Sequence, residues 1–223
     1  MGDSRAITWT KTGTLGDVKV EYSRDNFVAD IQTIAASTPA DSGSLGWTVP
    51  DAISTTVKVR ITLNSDTTVT HSSPANFKIR GSLAMTAPNG GETWIVEETR
   101  TITWTKTGTL ADVKLEYSTD GGVTYPNVIT ASTPASNLSY AWTVPDAISA
   151  TVKVRITLNA DATVTDDSNA AFTIKGSLTL TAPNTGEIWI AGTSQNIAWT
   201  KTGSIANVKL EYSTDAGVTY PNL

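Results

Sequence analysis

The chain has 223 residues, a formal net charge of −5 and no cysteine. That length holds two or three small domains, each of which must be held by its own apolar packing because no disulfide is available. The acidic balance argues against a nucleic-acid groove, and the Lys and Arg residues sit singly, so no polybasic membrane patch forms.

The start, Met1-Gly2-Asp3-Ser4, lacks the basic and apolar regions of a signal peptide. It runs straight into sequence that recurs, as expected of a boundary placed inside a longer array. Ile7-Thr8-Trp9-Thr10-Lys11-Thr12-Gly13 returns as Ile102-Thr103-Trp104-Thr105-Lys106-Thr107-Gly108 and again as Ile197-Ala198-Trp199-Thr200-Lys201-Thr202-Gly203, so both steps are 95 residues. Trp47-Thr48-Val49-Pro50-Asp51 likewise returns as Trp142-Thr143-Val144-Pro145-Asp146. Self-similarity at a fixed period marks an array of one structural unit, and 95 residues is the size of a small β-sandwich.

Residues 1–80 read as an incomplete first copy that lacks the first strand or two. They correspond to 96–175, and their Asp25-Asn26-Phe27-Val28-Ala29-Asp30 loop departs from Asp120-Gly121-Gly122-Val123-Thr124-Tyr125. Residues 81–175 read as a complete copy with seven or eight short strands, beginning near Leu83, Trp94, Ile102, Val113, Val128, Tyr140, Val152 and Phe172. The clearest is Thr151-Val152-Lys153-Val154-Arg155-Ile156-Thr157-Leu158, whose strict alternation puts Val152, Val154, Ile156 and Leu158 on one face. Asp120-Gly121-Gly122, Pro145-Asp146 and Pro88-Asn89-Gly90-Gly91 supply turns. Threonine, as common as all charged residues together, suits the wet face of such strands. The pattern fits an all-β array of immunoglobulin-like sandwiches, with a closed barrel as the alternative. Phe172-Thr173-Ile174-Lys175 leads through Gly176-Ser177 directly into Leu178-Thr179-Leu180, too short a joint for a flexible tether. A stiff rod, bending at Gly81 and Gly176, is expected.

Residues 176–223 read as the N-terminal half of a third copy. Two explanations cover the broken ends. The first is a segment of a longer array. The second is head-to-tail complementation, in which 176–196 of one molecule supplies the strands missing from 1–80 of the next. The second has a difficulty, because 197–223 would then duplicate strands already present in 7–33.

All seven tryptophans fall in three repeat classes: Trp9, Trp104 and Trp199; Trp47 and Trp142; Trp94 and Trp189. The first two are expected in the core, where a buried ring removes roughly 150–250 Å² from water. Trp94 and Trp189 follow Gly-Glu-Thr and Gly-Glu-Ile at an early strand, where partial exposure and a sugar-stacking role are candidates. The Asp25 and Asp120 loops, with Tyr125, are the other candidate binding loops, although Asp25, Asp120 and Asp215 read most simply as Asx-type turns.

No chemistry rises above this pattern. His71 stands alone, and its counterpart is Asp166, so an exposed loop histidine is the simpler reading. No Ser-His-Asp set, HExxH, P-loop or paired hydrolase carboxylates occur, which predicts a non-enzymatic protein with no cofactor. Asp161, Asp166 and Asp167 share an oxygen-rich stretch that is a candidate calcium loop, second to a solvated turn. Asn137-Leu138-Ser139 is the one glycosylation sequon.

Thr86-Ala87-Pro88-Asn89-Gly90-Gly91-Glu92-Thr93-Trp94, Ile102-Thr103-Trp104, Tyr117-Ser118-Thr119-Asp120-Gly121-Gly122-Val123-Thr124-Tyr125, Tyr140-Ala141-Trp142-Thr143-Val144-Pro145 and Val152-Lys153-Val154-Arg155-Ile156 follow in that order. The set resembles the repeated immunoglobulin-like domains of large bacterial and archaeal surface proteins, of the Kre9/KNH-type Ser/Thr-rich family. The resemblance covers essentially the whole chain and implies display outside the cell, in stalks, adhesins or sheaths; it supplies no catalytic residues. The reading that follows is a structural or adhesive array of an extracellular or cell-surface protein. Its expected partners are neighbouring copies of the same repeat, in this chain or another molecule, and a surface glycan or protein. Nucleic acid is not expected, nor is a membrane span. The alternative is a carbohydrate- or protein-binding accessory module of a secreted protein.

Overall fold

A computed structural model describes residues 2–222. Strands fall into three groups in chain order. The first contains β1 (Ser4–Thr8), β2 (Asp17–Ser23), β3 (Gln32–Pro39), β4 (Ser44–Thr48), β5 (Ser54–Leu63), β6 (Thr70–Ser72) and β7 (Phe77–Ile79). The second contains β8 (Ser82–Ala87), β9 (Thr93–Ile95), β10 (Thr99–Thr107), β11 (Asp112–Ser118), β12 (Asn127–Pro134), β13 (Ser139–Thr143), β14 (Ser149–Leu158), β15 (Asp161–Asp167) and β16 (Phe172–Lys175). The third contains β17 (Ser177–Ala182) and β18 (Ala198–Thr202).

The second group is a two-sheet sandwich. One sheet has the order β13-β10-β8; the other has β12-β11-β14-β16-β9, with β15 on the same edge of β14 as β16. Pairing is antiparallel except between β16 and β9, where Ile174 faces Trp94 in parallel register. Alternation decides which side chains meet between the sheets. Val152, Val154, Ile156 and Leu158 of β14, Val113 and Leu115 of β11, and Ile102 and Trp104 of β10 all lie in one buried cluster with Leu83, Met85, Trp94, Trp142 and Phe172. Trp94 is the centre of the aromatic part, 4.8 Å from Phe172 and 5.8 Å from Trp142. On the outer face threonines pair across strands, as in Thr157 with Thr165 at 3.0 Å and Thr86 with Thr103 at 2.7 Å.

In the first group, β2, β3, β4 and β5 repeat β11, β12, β13 and β14 residue for residue at an offset of 95. The counterparts of β8 and β9 have no place in this group, and the consequences are local. Strand β10 pairs β13 through Thr99–Thr103 and β8 through Thr103–Thr107. Its counterpart β1 keeps only the half that pairs β4 and stops at Thr8. The core splits in two: Trp47, Ala52, Val57 and Ile79 form one cluster, and Val18, Ala40 and Leu63 another. In the third group β18 keeps the other half, the part that pairs β17.

Candidate functional site

The acidic loops close on themselves. Asp120 accepts hydrogen bonds from the Ser118 hydroxyl at 2.5 Å and from the Thr124 N–H and hydroxyl at 3.0 and 2.6 Å. The Ser118 and Thr124 hydroxyls and the Thr124 N–H hold its carboxyl far below the usual carboxylate range. Asp215 repeats the arrangement with Ser213 and Thr219, and its carboxyl is lowered to about 2. Asp25 does so with the N–H groups of Val28, Ala29 and Asp30 and the Ser23 hydroxyl. These are Asx-type turns whose acceptor capacity is spent within the loop.

Tyr125 is fixed as well. Its hydroxyl donates to Asp167 at 2.6 Å, and the Arg155 guanidinium lies over its ring at 3.6 Å. Burial, and then the Asp167 carboxylate, push its phenol pKa well above the ordinary value. The first copy has Asp30 at this place. There Phe27 lies under Arg60 at 4.3 Å, restoring a cation–ring contact from a different loop position. Phe27 and Asn26 do so with φ of 63° and 62°, in the left-handed region occupied by Gly121 and Gly122 in the second copy.

The three candidate calcium ligands point to separate partners. Asp161 takes the Thr163 N–H and hydroxyl and pairs with Arg80 at 3.2 Å; Asp166 accepts the Met85 N–H at 2.7 Å; Asp167 holds Tyr125. Among the described residues no group of three His, Cys, Asp or Glu side chains comes together. His71, exposed on β6, pairs Ile61 and occupies the place of Asp166.

The tryptophans divide differently from the expectation. Trp94, expected at a partly exposed position, is buried because the parallel pairing of β9 with β16 turns its ring into the sandwich. Trp104, Trp47 and Trp142 are buried as expected, while Trp9 is half-buried and Trp199 exposed. Both sit beside positions where a strand of the repeat has no counterpart among the described residues.

Two surfaces emerge that the sequence did not mark. The first is the joint. Asp51 of the first group accepts the Thr109 N–H at 2.9 Å and the Thr109 hydroxyl at 2.7 Å from the second. Fifty-eight residues separate the pair, and the same spacing recurs where Asp146 accepts the Ser204 N–H at 2.9 Å and the Ser204 hydroxyl. Ile53 packs on the second core beside the first of these clasps. Gly81 and Gly176 sit where a Cβ would meet the Thr107 and Thr202 carbonyl oxygens, with Leu110 and Ile205 alongside. A sequence signal was present: Pro-Asp and Thr-Gly-Thr or Thr-Gly-Ser recur at constant spacing.

The second surface is a groove along the first group. One cavity of about 480 Å³ is lined by Ile7, Trp47, Val49, Phe77 and Ile79, and another of about 280 Å³ by Trp9, Leu15, Val18, Leu63 and Val69. Each of these residues has its counterpart 95 positions on in the single core of the second group. There the intervening space holds Trp94 and Val96, and Leu83 and Met85. In the third group the corresponding side chains stand in solvent: Leu178 is 51%, Leu180 47% and Trp189 43% exposed, against 7%, 4% and 6% for Leu83, Met85 and Trp94.

No protein-family model matches the chain, and no curated protein sequence matches it. Among solved structures it is similar to the fibronectin(III)-like modules of Clostridium thermocellum CbhA, at 17% identity and a TM-score of 0.29, covering 78% of this chain and 87% of that one. It is also similar to the N-terminal four Ig domains of Dscam1 isoform 6.9, at 11% identity and a TM-score of 0.37, covering 78% and 42%. A third similarity is to Dpr2 Ig1-Ig2 in complex with DIP-Theta Ig1-Ig3, at 11% and 0.26, covering 78% and 91%. With scores this low the fold class rests on the strand pairing itself. The chain is all-β, built of tandem immunoglobulin-like β-sandwich domains on a 95-residue repeat. Among the described residues no helix is long and apolar enough to cross a membrane.

Proposed function

We propose that the chain is a segment of a non-enzymatic structural or adhesive array on an extracellular surface, stalk or filament, with domain limits at 1–80, 81–175 and 176–223. In this reading successive molecules join head to tail by strand complementation. The observation that carries the structural role is the joint. An aspartate, a hydroxyl residue (Thr109 or Ser204) and a close-packed glycine recur at equivalent places in both junctions. A contact repeated at the period of the array fixes one angle between neighbours, which a spacer requires and a flexible string of binding modules does not. The carboxylates of the Asp120 and Asp161 loops bond hydroxyl and N–H groups of their own loops, as structural turns do. Small-angle scattering of the dilute chain tests the reading. A single elongated particle of defined maximum dimension is expected; a broad distribution of shapes would overturn it.

A carbohydrate-binding accessory role draws on one observation, the half-exposed Trp189 flanked by exposed Ile188 and Ile190. Glycan binding abolished by Trp189→Ala with the fold intact would favour it.

A further inference from the structure

Resting on the head-to-tail reading, we infer that the groove of the first group is the docking site for residues 177–191 of a second copy, entering in a single register. The register follows from the 95-residue offset. Gly2 donates to the Val49 carbonyl oxygen, and Val49 to that of Asp3, as Glu97 and Val144 do with Val144 and Glu98. Gly2 also shares the positive φ of Glu97, 72° against 70°. The first group is therefore folded as the repeat from position 97 onward, and what fits it is the counterpart of 82–96. That counterpart is Ser177 to Ala191 of another molecule.

The second group supplies the template for each contact. Trp94 between Trp142 and Phe172 places the second copy's Trp189 between Trp47 and Phe77. The parallel pairing of Trp94 with Ile174 places Trp189 opposite Ile79. Leu178 and Leu180 enter the cavity beside Trp9. Ser168 donates to the Pro88 carbonyl oxygen at 2.7 Å, and Ser73 stands ready to do the same to Pro183. The joint re-forms too: Thr14 is the counterpart of Thr109 and Ser204, and meets the second copy's Asp146.

The duplicated strand is resolved by exchange. Within one molecule β17 pairs β18, Thr179 facing Thr200. In the second group Ala84 faces Thr105, so after docking Thr179 faces Thr10 of the next molecule. Ile7 to Gly13 and Ile197 to Gly203 differ only at Thr8 and Ala198, so the ladder is exchanged like for like. The two half-strands β1 and β18 use opposite halves of the same pairing. Hydrogen bonds are conserved, while Leu178, Leu180 and Trp189 move from solvent into a core. Three positions oppose the fit. Trp47 and Phe77 already touch edge to face, their ring centroids 6.2 Å apart, and must part to admit Trp189. Pro74, which has no N–H, stands where Asn169 donates to the Asn89 side chain. A Cβ at Gly90 would come within 2.5 Å of the Ala170 side chain, and the incoming counterpart is Thr185 against Ala75.

The chain has no cysteine, so thiol trapping reads the register directly. Full-length Thr10→Cys and Thr179→Cys chains, mixed and oxidised, are expected to give the mixed dimer in excess over either homodimer by on the order of tenfold, the local-concentration advantage of a docked pair. Adding Thr185→Gly raises the yield, and adding Trp189→Ala lowers it. Light scattering of the unsubstituted chain shows mass rising with concentration. A mass of one chain at every concentration, or homodimers in statistical proportion to the mixed dimer, overturns the inference. Either failure leaves the stiffness of the dilute chain, measured separately by its scattering, as the test of the structural reading.

Discussion

Trp104 and Trp9 occupy the same place in two copies of the repeat and make the same hydrogen bond, indole N–H to the carbonyl oxygen of Ala135 and Ala40, each at 3.0 Å. Their surroundings differ by one strand. Trp104 is sealed under β8; Trp9 faces the groove. Trp104→Phe leaves a buried carbonyl without its donor and opens a void, which together cost about 2–4 kcal/mol. Trp9→Phe costs about 1 kcal/mol, because groove water reaches the freed group. Amide hydrogen exchange, resolved to each group of strands, separates the two. A second residue-scale expectation concerns Asp30. The Arg24 side chain, donating at 2.6 Å, lowers its carboxyl pKa to about 2. A carboxylate with a depressed folded pKa contributes stability that is complete above its unfolded value, about 3.9, and is lost as pH falls through the folded one. The melting temperature of Asp30→Asn therefore lies below that of the unsubstituted chain at pH 7, and the gap closes progressively between about pH 5 and pH 1. A gap undiminished at about pH 1 would reject the ion pair as its cause.

The strands show what alternation can and cannot report. β14 was legible in full, since Val152, Val154, Ile156 and Leu158 alternate and all four are buried. Trp94 was not, because period two states that a side chain changes face at each step but not which strand lies alongside. The parallel pairing of β9 with β16, which buries that ring, joins residues some 80 positions apart. Strand β15 was hidden too: Asp161, Asp166 and Asp167 read as a solvated turn, whereas Asp161–Asp167 pairs with β14 and breaks from β16 at Ser168. The Ser168 hydroxyl is held by the Pro88 carbonyl oxygen and the Val154 N–H, a bond set by tertiary packing. Glycine at the joint was read as a bend, and the structure gives it a different task. Gly81 carries no positive φ; it lets the entering strand run against the Thr107 carbonyl oxygen and Leu110. Gly81→Ala forces that contact apart and should destabilise by about 1–3 kcal/mol. The Thr109 amide, which Asp51 protects, should then exchange faster in hydrogen-exchange measurements.

At the scale of the whole molecule, the period was legible as an array and the joint was not. Asp51 and Asp146 sit in Pro-Asp turns, and a turn is the sufficient local reading of that dipeptide. Only the fold brings each beside a hydroxyl residue 58 positions on. Both clasps lie at the surface, so each is weak alone, and their effect is on orientation more than on folding. The Thr109 hydroxyl and N–H hold the Asp51 carboxyl below its ordinary value, and those of Ser204 do the same for Asp146. The sign follows as for Asp30: the clasps are complete above the ordinary carboxylate range and are lost as pH falls through the lowered folded values. Spin labels on Thr67→Cys and Thr101→Cys, one on each side of the first joint, measure this as a distance distribution. At neutral pH a narrow distribution is expected. Asp51→Ala should broaden it without lowering the melting temperature of either sandwich appreciably, because the core residues are untouched. Acid should broaden the distribution of the unsubstituted chain more than that of Asp51→Ala, in which Asp161 with Arg80 is the carboxylate contact left across the joint. If Asp51→Ala stays as narrow as the parent at neutral pH, the orientation is held by Ile53 and the close approach at Gly81, and the carboxylate follows the joint rather than setting it.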